Sequence, residues 1–95
     1  MTAYLFADIE VTDPTAYAEY RLAAPAAVAA YGGRYLARGG AVEVLEGEAS
    51  PHRVALVEFP DMARLKAFYH SPQYQALVAI RNRAARSTFI AVEGV

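Results

Sequence analysis

Four stretches of the chain alternate between apolar and polar residues, and they are rich in β-branched and aromatic side chains. They cover residues 3–11, 33–38, 53–59 and 87–92. A period of two is typical of a strand that buries one face and exposes the other. The pattern therefore predicts four strands, and the segments between the first and second and between the third and fourth are long enough for helices.

The first intervening segment has the period of a helix. Asp13 and Pro14 supply an N-cap and a first helical residue, and Gly32 with Gly33 is a C-cap signal, so the helix should end near Tyr31. One apolar face is predicted, made of Tyr17, Tyr20, Ala24, Val28 and Tyr31.

Proline interrupts both predicted helices. Pro25 removes an amide donor from the first helix and should kink it near Arg21. The second helix, capped by Asp61, should break at Ser71-Pro72, because serine is a good N-cap and proline a good first helical residue. The restarted part should present one face, made of Tyr74, Leu77, Val78 and Arg81.

The order strand, helix, strand, strand, helix, strand predicts an α+β fold. Two similar βαβ halves favour a single ferredoxin-like domain over residues 1–95, a βαββαβ sandwich with an antiparallel sheet and both helices on one face. Gly39-Gly40 suggests a bulge or a sharp bend, so residues 41–46 are expected to form an extended arm, followed by a loop over 47–52.

The strand alternation leaves an apolar surface on the face without helices. That face should carry Phe6, Leu36, Val54 and Leu56. We therefore expect a homodimer with the two sheets packed face to face. A polar cluster of Asp8, Arg38 and Glu58 is predicted on the same face, either as ion pairs that set the register or as a polar site with a carboxylate base beside an arginine.

Composition narrows the possible partners. The net charge of −1 argues against nucleic acid, whose binding depends on neutralising phosphates. No apolar run approaches the roughly 20 residues of a membrane span. Residues 1–11 have no basic residue before their apolar stretch and carry Asp8 and Glu10, so we do not expect them to be a signal peptide. We therefore expect a cytoplasmic protein. The chain has 0 cysteines and no HxH or HExxH spacing, so no metal site and no cofactor are predicted.

The candidate chemistry is concentrated around the break in the second helix. His70 is the candidate general base, although a histidine at a helix C-terminus is also favoured by the helix dipole. A ligand pocket between helices and sheet would be lined by Tyr17, Tyr20, Tyr69, Tyr74 and Arg81. Core filling is the alternative for the tyrosines. Arg81 would either extend its guanidinium to water or hold a carboxylate, that of Glu58 or of an acidic ligand.

Four motifs carry a family resemblance, GGRYLARGG, LEG at 45–47, VEFPD at 57–61 and FYHSPQYQAL at 68–77. In this order they resemble small bacterial proteins grouped as domain-of-unknown-function family 1330, over essentially the whole chain. The resemblance implies the dimeric α+β barrel architecture, hence a ferredoxin-like fold and a face-to-face dimer. It implies no activity, and no catalytic residues of more distant enzymes with this architecture can be matched here.

Three functions remain open on these grounds. The first is a small-molecule binding protein with an aromatic or weakly acidic ligand. The second is a cofactor-independent enzyme that resembles a monooxygenase or an isomerase. The third is a structural or regulatory dimer module that has no ligand.

Overall fold

The computed structural model describes residues 1–95 and contains four strands and three helices. In chain order these are β1 (Ala3–Val11), α1 (Pro14–Ala30), β2 (Arg34–Arg38), β3 (Arg53–Phe59), α2 (Met62–Tyr69), α3 (Pro72–Ala84) and β4 (Ala85–Glu93). The predicted break in the second helix separates α2 from α3. None of the three helices combines the length and the hydrophobicity needed to cross a membrane.

The four strands form one antiparallel sheet in the order β2-β3-β1-β4. The central strand β1 pairs with β3 on one side and with β4 on the other, and β2 lies at the far edge. Leu5 and Ala7 of β1 are buried whereas Phe6 between them is exposed, so the helices cover only one face. This arrangement confirms the predicted ferredoxin-like βαββαβ fold.

Each helix begins at a side-chain cap that the sequence predicts. Asp13 accepts a hydrogen bond from the Ala16 amide at 3.1 Å, and Asp61 accepts one from the Arg64 amide at 2.8 Å. Ser71 accepts from the Tyr74 amide at 3.1 Å while its own hydroxyl donates to the Phe68 carbonyl at 2.7 Å. The Ser71 hydroxyl is therefore used on both sides of the helix break, which rules it out as a free nucleophile.

The core lies between the helices and the inner face of the sheet. The largest side chains that are almost fully buried are Tyr74, Phe59 and Phe68. Phe68 stands at the centre, with its ring centroid 5.2 Å from that of Phe59 and 4.3 Å from that of Tyr74. Aromatic residues thus fill the core of a domain that has only one helical layer.

A glycine at the start of β2 makes the close packing of α1 on the sheet possible. A Cβ added at Gly33 would lie 2.7 Å from the Phe59 ring and 2.8 Å from the Val28 side chain, and both neighbours are buried. We expect Gly33→Ala to lower the free energy of unfolding by about 2 kcal/mol, because neither neighbour can move without strain. Urea denaturation measures this, and Gly40→Ala is the control, since nothing lies within 4 Å of that position. Equal stability of the two variants would contradict the packing argument.

The pairing of β2 with β3 is irregular, and this overturns one predicted side-chain direction. The register shifts between Tyr35 and Ala37, so that Ala37 is paired with Leu56 and Arg38 with Ala55. Because Ala55 is buried under the helices, Arg38 lies on the helix side of the sheet. The prediction that placed Arg38 on the outer face is therefore wrong, since it assumed strict alternation through β2.

The segment between β2 and β3 is an exposed arm without regular secondary structure. Gly39 takes a positive φ of 70° and donates its amide to the Val54 carbonyl at 2.9 Å, which ends the pairing with β3. Leu45 is 89% exposed, and Val42 and Val44 are each 44% exposed. The predicted arm over 41–46 is present, and it forms no strand with the rest of this chain.

Candidate functional site

A cavity of about 40 Å³ lies between the helices and the inner face of the sheet. Small side chains leave this space open, since Ala7, Ala24 and Ala55 face it from β1, α1 and β3. The wall is mostly apolar, and its polar residues are four tyrosines and three arginines. The volume is enough for about three water molecules.

Two tyrosine hydroxyls meet at the wall of this cavity. The hydroxyls of Tyr20 on α1 and Tyr74 on α3 lie 2.6 Å apart, and Arg81 donates from Nη1 to the Tyr74 oxygen at 2.9 Å. Each of the two hydroxyls has the other oxygen as its acceptor, and either can be the donor. Whichever donates, the hydrogen of the other hydroxyl has no protein acceptor and is left to donate to whatever occupies the cavity.

Arg81 is buried without an acidic partner. It is 4% exposed, and its Nε–H group has no hydrogen-bond acceptor. Its guanidinium carbon lies 4.2 Å from the ring centroid of Phe89 and 5.7 Å from that of Tyr20, both within the range of cation–π attraction. The alternative that pairs Arg81 with Glu58 is wrong, because Glu58 binds Arg34 on the opposite face of the sheet at 2.9 Å.

The protonation state of Tyr74 leaves the charge of Arg81 without compensation. Burial raises the pKa of the Tyr74 hydroxyl, the neighbouring Tyr20 raises it further, and the positive charge of Arg81 only partly opposes this. Tyr74 is therefore neutral near pH 7, while an arginine remains charged. The buried cation of Arg81 behind the neutral Tyr74 hydroxyl gives the cavity wall a positive potential.

Three of the lining residues, Arg21 on α1, Arg38 on β2 and Arg53 on β3, are exposed or half-buried and therefore mark the mouth of the cavity. Arg38 donates from Nη2 to the Arg21 carbonyl at 2.6 Å, and its guanidinium carbon lies 5.0 Å from the Tyr35 ring centroid. The Arg21 carbonyl is available because Pro25, four residues further on, has no amide hydrogen to donate to it. The helix continues through Pro25 to Ala30.

A second arginine faces the same mouth. Arg53 is the first residue of β3 and lines the cavity with Arg38 and Tyr17. Its guanidinium packs on Gly39, where an added Cβ would lie 2.8 Å from the Arg53 Cζ atom. Burial raises the pKa of the Tyr17 hydroxyl, with a further contribution from Tyr20, and the charges of Arg53 and Arg38 partly oppose this.

His70 and Tyr69 line a second pocket of about 260 Å³, the α2–β4 groove, although the Tyr69 ring also packs 5.7 Å from that of Tyr74. His70 ends α2 as its C-cap and is exposed, and its ring stands edge-on to that of Tyr69 with centroids 5.4 Å apart. The structure therefore brings Tyr17, Tyr20 and Tyr74 to the cavity, with Arg81 behind them, but it does not bring His70 there.

The outer face of the sheet has its own polar cluster. Glu58 pairs with Arg34, and Asp8 accepts a hydrogen bond from the His52 amide at 2.8 Å. The His52 ring nitrogens lie 4.0 Å from an Asp8 oxygen and 3.8 Å from a Glu10 oxygen. Asp8 and Glu58 therefore lie on the predicted face, but with Arg34 and His52 in place of Arg38.

Neither Arg38 nor Arg53 was predicted at the cavity mouth, because Arg38 was expected in the polar cluster of the outer face and Arg53 was not singled out as a site residue. Arg53 belongs to the same alternating set as Ala55, Val57 and Phe59, so a step of two residues places it on the inner face. For Arg38 the available signal is Pro25, because a proline inside a helix leaves a carbonyl free for a donor from another element. No sequence signal locates the bulge that turns Arg38 inward.

Solved structures similar to this chain share its fold. A protein of unknown function from Rhodopseudomonas palustris has a TM-score of 0.76 at 20% identity, covering 99% of this chain and 82% of that one. A dimeric ferredoxin-like protein of unknown function from Jannaschia gives 0.72 at 14%, covering 99% and 100%. SnoaB, a cofactor-independent oxygenase from Streptomyces nogalater, gives 0.68 at 9%, covering 99% and 93%.

No curated protein matches the sequence at a significant level. One family model does, and it covers residues 2–95. This match confirms the resemblance carried by the four motifs and extends it over nearly the whole chain. The chain belongs to the family described as a domain of unknown function (DUF1330).

Proposed function

We propose that the protein binds a small aromatic, weakly acidic molecule in the cavity between the helices and the sheet. The observation that carries this proposal is the hydrogen-bonded chain from Arg81 through Tyr74 to Tyr20. It leaves one polarised hydroxyl hydrogen without a protein acceptor at an otherwise apolar wall. A phenol oxygen is a suitable acceptor, and its ring suits the aromatic surroundings.

The buried charge of Arg81 supports the same conclusion. Removing an ion from water costs several kcal/mol, and no carboxylate of this chain offsets that penalty for Arg81. A ligand with partial or full negative charge near Tyr20 would offset it through the two hydroxyls. Polar groups that are uncompensated in the free protein are a feature of binding sites rather than of cores.

A ring can enter only if the mouth opens. The cavity of about 40 Å³ is smaller than the roughly 150 Å³ that accommodates benzene in a closed apolar site. The mouth is lined by the long side chains of Arg38 and Arg53, which can change rotamer without moving the backbone. We therefore place the ring of the ligand inside the cavity and its entry path between these two side chains.

Phenol is the probe that tests this function. We expect phenol to shift the NMR signals of Ala24 and Ala55 in the cavity, whereas cyclohexanol of similar size shifts them far less, because it is neither aromatic nor acidic. Shifts confined to Ala91 would assign binding to the α2–β4 groove instead. The absence of any shift would contradict the proposal and would favour the third function, a structural or regulatory dimer module that has no ligand.

A cofactor-independent enzyme is the second candidate. SnoaB, whose fold this chain shares, is described as a cofactor-independent oxygenase. His70 is the one histidine that lines either of the two pockets, and it lies at the α2–β4 groove. In the phenol experiment, consumption of dioxygen that stops in His70→Ala, with binding retained, would favour this candidate over simple binding.

We also propose that two copies of the chain form a dimer through the outer face of the sheet. The large apolar side chains exposed there include Phe6 (37%), Leu36 (45%), Ile90 (54%) and Val92 (56%). Phe6 is paired directly with Leu56 on one side and with Ile90 on the other, so these side chains form a continuous patch. The similar protein from Jannaschia is described as dimeric, which supports a second copy as the partner.

A further inference from the structure

The lining of the cavity contains arginines but no acidic residue. Arg38 and Arg53 both line the cavity. The three ion pairs of the structure involve only Arg34 and His52 as cations, so no carboxylate lies within 4.0 Å of either mouth arginine. Two guanidinium groups that face one opening repel each other unless an anion lies between them.

The hydrogen bond that Arg38 makes is replaceable. Its acceptor is the Arg21 carbonyl, a neutral backbone oxygen that helix α1 does not use because of Pro25. A carboxylate is a stronger acceptor for a guanidinium than a neutral carbonyl, and it matches the planar fork with two parallel hydrogen bonds. Arg38 can therefore leave the carbonyl for an anionic ligand at little net cost.

The Arg53 guanidinium lies against Gly39, where a larger residue would not fit. Gly39 has a positive φ of 70°, and a Cβ there would overlap the Arg53 guanidinium. The absence of a side chain at residue 39 therefore lets the guanidinium pack beside the mouth, where Arg53 is half-buried. Tyr17 adds a hydroxyl that stays protonated near pH 7, because burial raises its pKa, so it can donate to the same anion.

We propose that Arg38 and Arg53 form a carboxylate-binding site at the cavity mouth, so that the ligand is a hydroxyaryl carboxylic acid. Its ring and phenol oxygen lie inside, against Tyr20, and its carboxylate lies between the two guanidinium groups. The position of the ring rests on the proposed function, whereas the carboxylate site rests on the mouth residues alone. The two parts can therefore fail separately.

The experiment compares 4-hydroxybenzoate with its neutral isostere 4-hydroxybenzamide by isothermal titration calorimetry. In the unmodified protein we expect the acid to bind at least tenfold more tightly than the amide. Arg38→Gln and Arg53→Gln should each bring this ratio close to one, because each removes one half of the anion site. Arg38→Lys should restore only part of it, since an ammonium lacks the planar fork.

Arg83→Gln is the matched control. Arg83 is an exposed arginine in the last turn of α3 and takes part in no ion pair. The control removes the same net charge, so it should leave the ratio of the two affinities unchanged. A ratio that falls equally in the control would attribute the preference to the overall charge and would overturn the carboxylate site.

Acetate tests the mouth without the ring. At equal ionic strength, sodium acetate should raise the melting temperature more than sodium chloride, and Arg38→Gln should remove the difference. If phenol binds but acid and amide bind equally, the carboxylate site is wrong and the proposed function stands. If acetate stabilises the protein but phenol does not bind, the carboxylate site stands and the proposed function is wrong. If phosphate stabilises and acetate does not, or if no probe acts, the carboxylate site is wrong.

Discussion

Replacing Arg81 by methionine is expected to weaken phenol binding at least tenfold while leaving the protein as stable as before, or more stable by about 1 kcal/mol. Methionine fills a similar volume and needs no hydrogen-bond acceptor, and replacing an unpaired buried charge by an apolar side chain is often stabilising. Tyr74 retains its hydrogen bond to Tyr20 in this variant. The loss of binding would follow from the loss of the charge that polarises the two hydroxyls.

Calorimetry with phenol and urea denaturation measure the two effects on the same sample. Arg83→Met is the control, because it makes the same substitution at an exposed position of α3 and should change neither binding nor stability measurably. A fall in the free energy of unfolding by more than about 2 kcal/mol in Arg81→Met would show that the cation–π contacts with Phe89 and Tyr20 are structural. In that case the main support for a ligand in the cavity is removed.

Phe6→Glu is expected to dissociate the proposed dimer. A twofold interface through the sheet brings the substitution into the contact twice, and each new carboxylate would be buried without a partner. We expect the dissociation constant to rise at least 100-fold, which corresponds to about 3 kcal/mol. Sedimentation velocity at micromolar concentration should then give a species of 10.3 kDa.

Leu22→Glu is the control for that experiment. Leu22 is 71% exposed on α1, so it also replaces an exposed apolar side chain by a carboxylate, but on the helical face of the fold. The control should sediment like the unmodified protein. If Leu22→Glu dissociated the assembly and Phe6→Glu did not, the subunits would associate through their helices instead. A monomeric unmodified protein would overturn the dimer altogether.

Much of the fold follows from local signals that need no tertiary context. Asp13, Asp61 and Ser71 can be identified as N-caps because a short polar side chain before a helix satisfies amides that the helix itself leaves free. The break at Ser71-Pro72 follows from the same rule together with the missing amide of proline. The inner and outer faces of β1 and β3 follow from alternation, because these two strands pair with each other without irregularity.

The candidate site is only partly predictable for two reasons. Tyr17, Tyr20 and Tyr74 share helix faces that must pack on the sheet, so their common location at the cavity follows from helical period alone. His70 directly follows α2, and its direction depends on how the chain turns between α2 and α3. Helical period does not describe such a turn, so the sequence could not show that His70 lies at the α2–β4 groove and not at the cavity.

The sequence by itself determined the order of the elements, the helix caps and breaks, and the apolar surface left on the outer face of the sheet. These depend on period and on side-chain chemistry within a few residues. Only the tertiary structure decided that Arg38 turns inward, because a bulge depends on how β2 fits against β3. It also decided that Arg81 has no acid to pair with, because Glu58 lies on the outer face of the sheet, where it binds Arg34, and Arg81 lies on the inner face.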